Sequence, residues 1–277
     1  TLFRSRINTS LRTKTTLIIK ELISNFIKER IVKMKVTVLG YYGGYPTATD
    51  GTTGFLIEEQ DYALLLDCGS GVLKVLQEQL DPLQLDAVIL SHYHQDHIAD
   101  VGVLQYYWQL RQGQRKEALL PIYGHTEDPL NFGSLTWPTA TTGQAYDPDD
   151  TLQLGPLTIS FCRTIHPVPT FAMRIMNQAG KVLVFTADTR YFSELADFAQ
   201  NADLLITDTN FDSTKTGKMW HMTAAQSGQL AVEAQARQLL LSHLPQQIEQ
   251  QKILAEATQQ AKGIPIQLAS TGLQITL

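Results

Sequence analysis

From residue 34 onward, short apolar runs alternate with stretches in which apolar residues recur every three or four positions. The runs predict β-strands, and the three-to-four spacing predicts amphipathic helices. The predicted strands are 35–39, 53–58, 62–66, 86–90, 157–165, 170–176, 181–186, 203–207 and 238–242. The predicted helices are 70–79, 99–111, 192–199, 222–236 and 246–261. Residues 124–150 are rich in Gly, Pro, Thr and Asp, and predict an irregular loop.

The order of these elements predicts how the strands connect. Strand 53–58 runs directly into 62–66, and strand 157–165 into 170–176, as in hairpins. Other strands are separated by helices, as in parallel crossovers. The mixture favours an α/β fold with mixed sheets covered by helices over a purely parallel sheet.

Residues 1–33 differ from the rest, which we treat as one domain, 34–277. They are basic and rich in Ser and Thr. One face of a helix could be formed there by Leu17, Ile18, Leu22, Phe26 and Ile27. The segment could be a translated upstream stretch or cloning remnant, a targeting peptide, or an added amphipathic helix. We favour the first interpretation, because Met34 opens what reads as a natural first strand.

Composition limits the classes of function. The chain has 277 residues, 43% of them hydrophobic, which is enough for a large core. No apolar run approaches the ~18 residues that a membrane span needs. Cys68 and Cys162 cannot form a disulfide framework, so a reducing, cytoplasmic location is expected.

Charge is spread unevenly along the chain. Of 22 Lys and Arg and 27 Asp and Glu, eight basic and two acidic residues lie in 1–33. Residues 34–277 therefore carry 14 basic and 25 acidic side chains, a net charge of −11. Phosphate contacts need local positive charge, so such a domain is a poor general binder of nucleic acid.

A dense histidine motif follows the predicted strand 86–90. It has the pattern His-x-His-x-Asp-His, formed by His92, His94, Asp96 and His97. Imidazoles are common zinc ligands, and a carboxylate adds negative charge. Residues two apart in an extended backbone point the same way, so His92 and His94 can hold one ion while Asp96 and His97 turn toward a second. The alternative is a polar surface turn after a buried strand.

Single polar residues also close four other apolar strands. His166, Asp188 and His243 follow strands 157–165, 181–186 and 238–242. Each is a weak signal alone, but they recur in order after the strong motif, and rigid strand ends suit a metal site. Asp67 closes strand 62–66 and is predicted to accept a proton from a ligand histidine and fix its tautomer. Its alternative role is to cap the following helix.

This ordered set resembles the metal-binding motifs of the metallo-β-lactamase superfamily, from Met34 to about His243. The resemblance implies a four-layer αββα sandwich, with two mixed sheets face to face, helices outside and metals in a cleft at one edge. It implies two divalent metal ions, zinc first, with manganese or iron as alternatives. One ion would be held by His92, His94 and His166, the other by Asp96, His97 and His243, and both by Asp188.

Three segments resemble ribonuclease Z, the tRNA 3′-processing endonuclease, and its relatives. Segment 64–69 is similar to the opening motif of that branch, and 185–190 to its bridging-Asp motif. Segment 221–224, His-Met-Thr-Ala, resembles the segment that carries its acid catalyst, which implies that His221 is a proton donor. Glyoxalase II enzymes share the metal ligands, so His221 is the deciding residue. Its alternative role is a helix-start residue at a cleft edge.

The chain departs from ribonuclease Z at one point. Bacterial forms of that enzyme insert a long tRNA-gripping arm between the third His and the bridging Asp. Here His166 and Asp188 are 22 residues apart, and two predicted strands use that space. Together with the acidic domain, this predicts weak tRNA binding and a small, cyclic or short phosphodiester substrate.

We therefore expect a metal-dependent phosphodiesterase that acts on a small or cyclic phosphodiester or on an RNA 3′ end. Two ions would acidify a water molecule and neutralise phosphate charge. Asp96 would orient the resulting hydroxide, and His221 would protonate the leaving alkoxide. The alternatives are thioester, lactone or lactam hydrolysis on the same metals, and a non-enzymatic binding module, against which the full ligand set argues. A homodimer is a further possibility.

Overall fold

The computed structural model describes residues 33–277. The interpretations of residues 1–32 lie outside this range, and the domain boundary at residue 34 stays a prediction. The strands are β1 Lys35–Gly40, β2 Gly54–Glu59, β3 Tyr62–Leu66, β4 Ala87–Ile89, β5 Leu120–Gly124, β6 Thr141–Ala145, β7 Leu152–Leu154, β8 Leu157–Arg163, β9 Phe171–Asn177, β10 Val182–Phe185, β11 Leu204–Asp208, β12 Leu239–Ser242, β13 Ile266–Leu268 and β14 Gln274–Thr276.

Helices connect and cover these strands. They are α1 Val72–Gln79, α2 Gln95–Ile98, α3 Val101–Leu110, α4 Pro129–Ser134, α5 Glu194–Phe198, α6 Ala224–Glu233 and α7 Gln250–Gln260. Helix α6 begins with a capping box, in which the Gln226 backbone N–H donates to the Thr223 hydroxyl and the Thr223 N–H donates to the Gln226 side chain. The cap fixes the chain just after His221. Within residues 33–277, no helix is both long and apolar enough to cross a membrane.

The strands form two mixed sheets. Their orders are β14-β1-β2-β3-β4-β5-β6 and β13-β12-β11-β10-β9-β8-β7. In the first sheet β3 to β6 run parallel, and in the second β10 to β13 do. Parallel strands end at a common edge, so residues that follow them converge there.

The alternation of side chains along the strands builds four layers. Leu64 and Leu66 of β3 point into the core between the sheets, where the rings of Phe55 and Phe185 meet with their centroids 5.6 Å apart. Leu65 points the other way, into a second core under α1 and α3. Helices α6 and α7 cover the far side of the second sheet. The predicted αββα sandwich is confirmed.

The predicted strands and helices occur where the sequence places them, with ends shifted by a few residues. The irregular loop predicted for 124–150 was wrong in part, because α4 and β6 lie within it. Asp128 caps α4 by accepting a hydrogen bond from the Asn131 N–H. Strand β6 is a polar, partly exposed edge strand, so it lacks the apolar alternation that reveals a buried strand.

Candidate metal centre

Strand ends bring the predicted site residues to one edge of the sandwich. Strands β8, β10 and β12 end shortly before His166, Asp188 and His243, and β4 ends shortly before the 92–97 motif. Within the described residues, the side chains form three overlapping groups, in each of which the donor atoms lie within 4.8 Å of one another. Two donor groups consist only of predicted ligands: His92, His94, His166 and Asp188, and Asp96, His97, Asp188 and His243. The third group is Asp188, Asp208, His221 and His243.

Asp188 lies between the two groups and faces both. Its Oδ1 is 3.1 Å from His97 Nε2 and 3.4 Å from His243 Nε2. Its Oδ2 is 3.6 Å from His92 Nε2 and 3.7 Å from His166 Nε2. One oxygen toward each group is the arrangement that a carboxylate shared by two cations requires.

Buried polar atoms in this cluster lack protein partners. His92 Nε2, His97 Nε2 and Asp188 Oδ1 are buried and make no hydrogen bond within the described residues. Leaving such atoms without a partner costs free energy, so each needs a ligand. A mixed imidazole and carboxylate set suits zinc and similar divalent ions. The residues present therefore fit the divalent metals that the fold family implies.

The electrostatics of the cluster attract positive charge. Burial disfavours a charged imidazole, but the carboxylates of Asp188 and Asp96 outweigh it and raise the pKa of His97. Burial is likewise outweighed at His243, whose pKa is raised by Asp188 and Asp208. Protons and cations therefore compete for these imidazoles, so metal affinity should fall as pH falls.

Asp67 supports the cluster from behind. It is fully buried, and its Oδ2 accepts a 2.7 Å hydrogen bond from His97 Nδ1. The Ser91 backbone N–H and hydroxyl donate to its two oxygens at 2.7 and 2.8 Å. This geometry leaves His97 Nε2 directed at the cluster. Asp67 therefore contacts His97, and its predicted role in fixing the tautomer of that histidine stays a prediction.

The Asp67→Asn substitution should weaken metal binding by about 10–100-fold, the usual cost of losing a carboxylate behind a ligand histidine. Titration against a chelator measures the change. Asp86→Asn is the matched control, because Asp86 accepts hydrogen bonds at the opposite end of β4. Unchanged metal affinity in Asp67→Asn would assign Asp67 a purely structural role.

Three residues of the edge adopt left-handed backbone conformations. They are Asp67 (φ 55°), Ala187 (φ 50°) and His243 (φ 52°). Such conformations are costly for residues with a Cβ atom and persist where surrounding structure fixes them. Each one turns the chain sharply at a strand end and directs a donor, or the residue beside it, toward the cleft.

His221 lies at the cleft and is held by Asp208, a residue that our sequence analysis missed. His221 Nδ1 donates to Asp208 Oδ2 at 2.8 Å. Asp208 Oδ1 is 3.2 Å from His243 Nδ1. Burial opposes the imidazolium, but Asp208 outweighs it and raises the pKa of His221. Since Nδ1 is occupied, Nε2 is the nitrogen of His221 available to the cleft.

The cleft has a volume of about 340 Å³, and Asp96, His94, His166, Asp188, His221 and His243 line it. Two glycines form part of its wall. The Gly44 N–H donates to Asp96 Oδ2 at 2.6 Å, which orients that carboxylate. A Cβ atom on Gly43 would lie 2.5 Å from the His243 ring. Glycines carry no chemical signal, so sequence motifs alone could not reveal these roles.

An αββα sandwich with clustered His and Asp donors at one edge defines a metallo-hydrolase. Residues 62–244 match the family model described as a beta-lactamase superfamily domain, and the chain belongs to the metallo-β-lactamase superfamily. The predicted resemblance to that superfamily is confirmed.

The chain is similar to several known proteins. It is 49% identical over 217 residues to "Probable metallo-hydrolase YhfI" of Bacillus subtilis (strain 168), covering 76% of this chain and 87% of that protein. The crystal structure of YhfI superposes with a TM-score of 0.84 at 44% identity, over 89% of this chain and 100% of that one.

Two more distant structures share the fold. Human tRNase Z, short form, gives a TM-score of 0.69 at 18% identity over 87% of this chain and 98% of that one. A diphosphatase of the PhnP family gives 0.65 at 17% identity over 87% and 97%. Homodimerisation and cytoplasmic location stay predictions.

Proposed function

We propose that this metallo-hydrolase is a phosphodiesterase that cleaves a small, cyclic or short phosphodiester. It uses two divalent cations, of which zinc is the favoured identity. One observation carries the proposal: His221, held by Asp208, faces the same cleft as both donor groups. An alkoxide leaving group needs a proton in the transition state, whereas a thiolate, whose thiol has a pKa near ~8.5, needs it far less. A positioned acid therefore favours phosphodiesters over thioesters.

The chain's own residues divide the work of hydrolysis. Asp96, Asp188 and the five histidines of the two groups of predicted ligands would hold the cations, which supply Lewis acidity when bound. Asp96, fixed by the Gly44 N–H, orients the attacking water, whose proton passes to solvent as the hydroxide nucleophile forms. As the new P–O bond forms and the bond to the leaving oxygen breaks, His221 Nε2 transfers its proton to that oxygen. Asp208 stabilises the imidazolium before transfer.

The geometry and the charge of the chain support a small substrate. Two of the structures that share the fold are named tRNase Z and a diphosphatase. At 18% and 17% sequence identity, these likenesses show the fold and not the substrate. Between His166 and Asp188 the chain forms only the antiparallel pair β9 and β10, with a turn around Gly180. No arm for tRNA lies in that interval, and residues 34–277 carry a net charge of −11.

A substrate panel tests this proposal with metal-loaded protein. We expect cleavage of bis(p-nitrophenyl) phosphate and of cyclic nucleotides, with slow 3′ processing of precursor tRNA and weak, salt-sensitive tRNA binding. Initial rates on phosphodiesters, thioesters and lactones under the same conditions give the comparison. Efficient multiple-turnover cutting of precursor tRNA would contradict the small-substrate proposal, and thioester or lactone rates far above the phosphodiester rates would favour the glyoxalase II-like alternative.

A further inference from the structure

A second cavity opens beside the metal cleft. Its volume is about 430 Å³, within the range of small-molecule sites. Residues from three parts of the chain line it, including Ile165, Arg190, Lys218 and Trp220. Trp220 lines both cavities, so the two spaces are neighbours. A substrate bound at the metal donors could extend past Trp220 into this space.

The charge of this cavity is opposite to that of its surroundings. In residues 34–277 acidic side chains outnumber basic ones by 25 to 14. Yet the cavity is lined by two basic residues, Arg190 and Lys218, and by no acidic residue. Within residues 33–277, neither cation forms a salt bridge, whereas six other basic residues do. A cavity of this kind concentrates anions.

The backbone of Arg190 and the exposed side chain of Lys218 both contact residues next to the metal centre. Arg190 is two residues after Asp188, and its backbone N–H donates to the Ile165 carbonyl at 3.2 Å. Lys218 Nζ lies 4.3 Å from the centroid of the Trp220 ring, a cation–π contact. The Trp220 carbonyl in turn accepts a 3.3 Å hydrogen bond from His166 Nδ1. The anion-attracting groups and the metal donors therefore share supports.

We propose that this cavity binds an anionic group, a second phosphate or a carboxylate, on the part of the substrate away from the bond that is cleaved. This inference rests on the proposed function only in that the bound molecule is the substrate of the phosphodiesterase. The binding of the anion itself does not depend on turnover. Lys218 already covers a face of Trp220, so electrostatic recognition is favoured over stacking of a base on that face.

Isothermal titration calorimetry of the metal-loaded protein with non-hydrolysed ligands tests the cavity. Thymidine 3′,5′-bisphosphate should bind about 100-fold more tightly than thymidine 5′-monophosphate, since each charge-assisted contact contributes about tenfold. Arg190→Gln and Lys218→Gln should each lower that preference by about tenfold. Thymidine 5′-monophosphate with a 3′-O-carboxymethyl ether distinguishes a carboxylate from a phosphate as the anionic group, because tighter binding of this ether than of the bisphosphate would identify a carboxylate.

Lys215→Gln is the matched control. Lys215 is a cation of the same segment that lies over Phe211 and does not line the cavity, so its replacement changes the net charge equally. The preference should survive in Lys215→Gln. Equal binding of the two thymidine ligands by the unaltered protein, or equal losses in all three variants, would overturn the proposal. If the preference is present but no diester is cleaved, the proposed function fails and the anion site stands.

Discussion

Replacing Asp188 with asparagine is expected to remove most bound metal and to lower hydrolysis by roughly 10³-fold or more, the equivalent of several kcal/mol of charge stabilisation. The reason is the position of Asp188: its two oxygens face the two groups of histidines, at 3.1 and 3.6 Å from His97 and His92. Asparagine keeps the shape but supplies neither the charge nor the second oxygen. Metal per chain by mass spectrometry, after reconstitution and desalting, should fall from two to below one.

A buried aspartate away from the edge controls for misfolding. Asp203 accepts hydrogen bonds from Lys181 and Val182 and lies before β11, at the other end of the sheet. Asp203→Asn should lower the melting temperature yet keep two metals per chain. If Asp188→Asn retained two metals and normal activity, the shared-carboxylate assignment would be wrong.

His221→Ala is expected to separate substrates by their leaving groups. General acid catalysis typically contributes ~10²–10⁴-fold, so a cyclic nucleotide or dinucleotide, which releases a ribose alkoxide, should lose about that much. Bis(p-nitrophenyl) phosphate releases a stable phenolate and should lose less than about tenfold. Metal content should stay unchanged, because His221 Nδ1 is bonded to Asp208 and His221 belongs to neither of the two groups of predicted ligands, its own group being the one with Asp188, Asp208 and His243.

The comparison of two substrates on one variant cannot be imitated by general misfolding. Asp208→Asn should show the same selectivity in smaller measure, since asparagine keeps an acceptor for His221 but removes the negative charge. Equal losses on both substrates would assign His221 a positioning role, and loss of metal would make it a ligand. If His221→Ala kept full activity on both substrates, thioester and lactone hydrolysis would be as well supported as phosphodiester hydrolysis.

Local patterns were sufficient to predict most of the fold. The run Leu64-Leu65-Leu66 indicates a strand buried on both faces, and the structure divides it between the two cores. Strand β6 and the three-residue strands β7, β13 and β14 escaped prediction, because polar or very short strands carry little periodicity. Strand β5 also escaped it, because Pro121 interrupts its short apolar run. Asp208 closes the apolar strand β11 much as Asp188 follows β10, so the same signal could have found it.

The sequence by itself determined the fold class and the donor types, because strand periodicity and polar residues at strand ends are local properties. Only the tertiary structure decided which atoms face each other. Asp188 divides its oxygens between two groups, and Asp208 meets His221 at 2.8 Å. The Arg190 and Lys218 cavity also arises only there. These contacts join residues 13 to more than 90 positions apart, and their distances depend on sheet register and loop conformation, which no local pattern encodes.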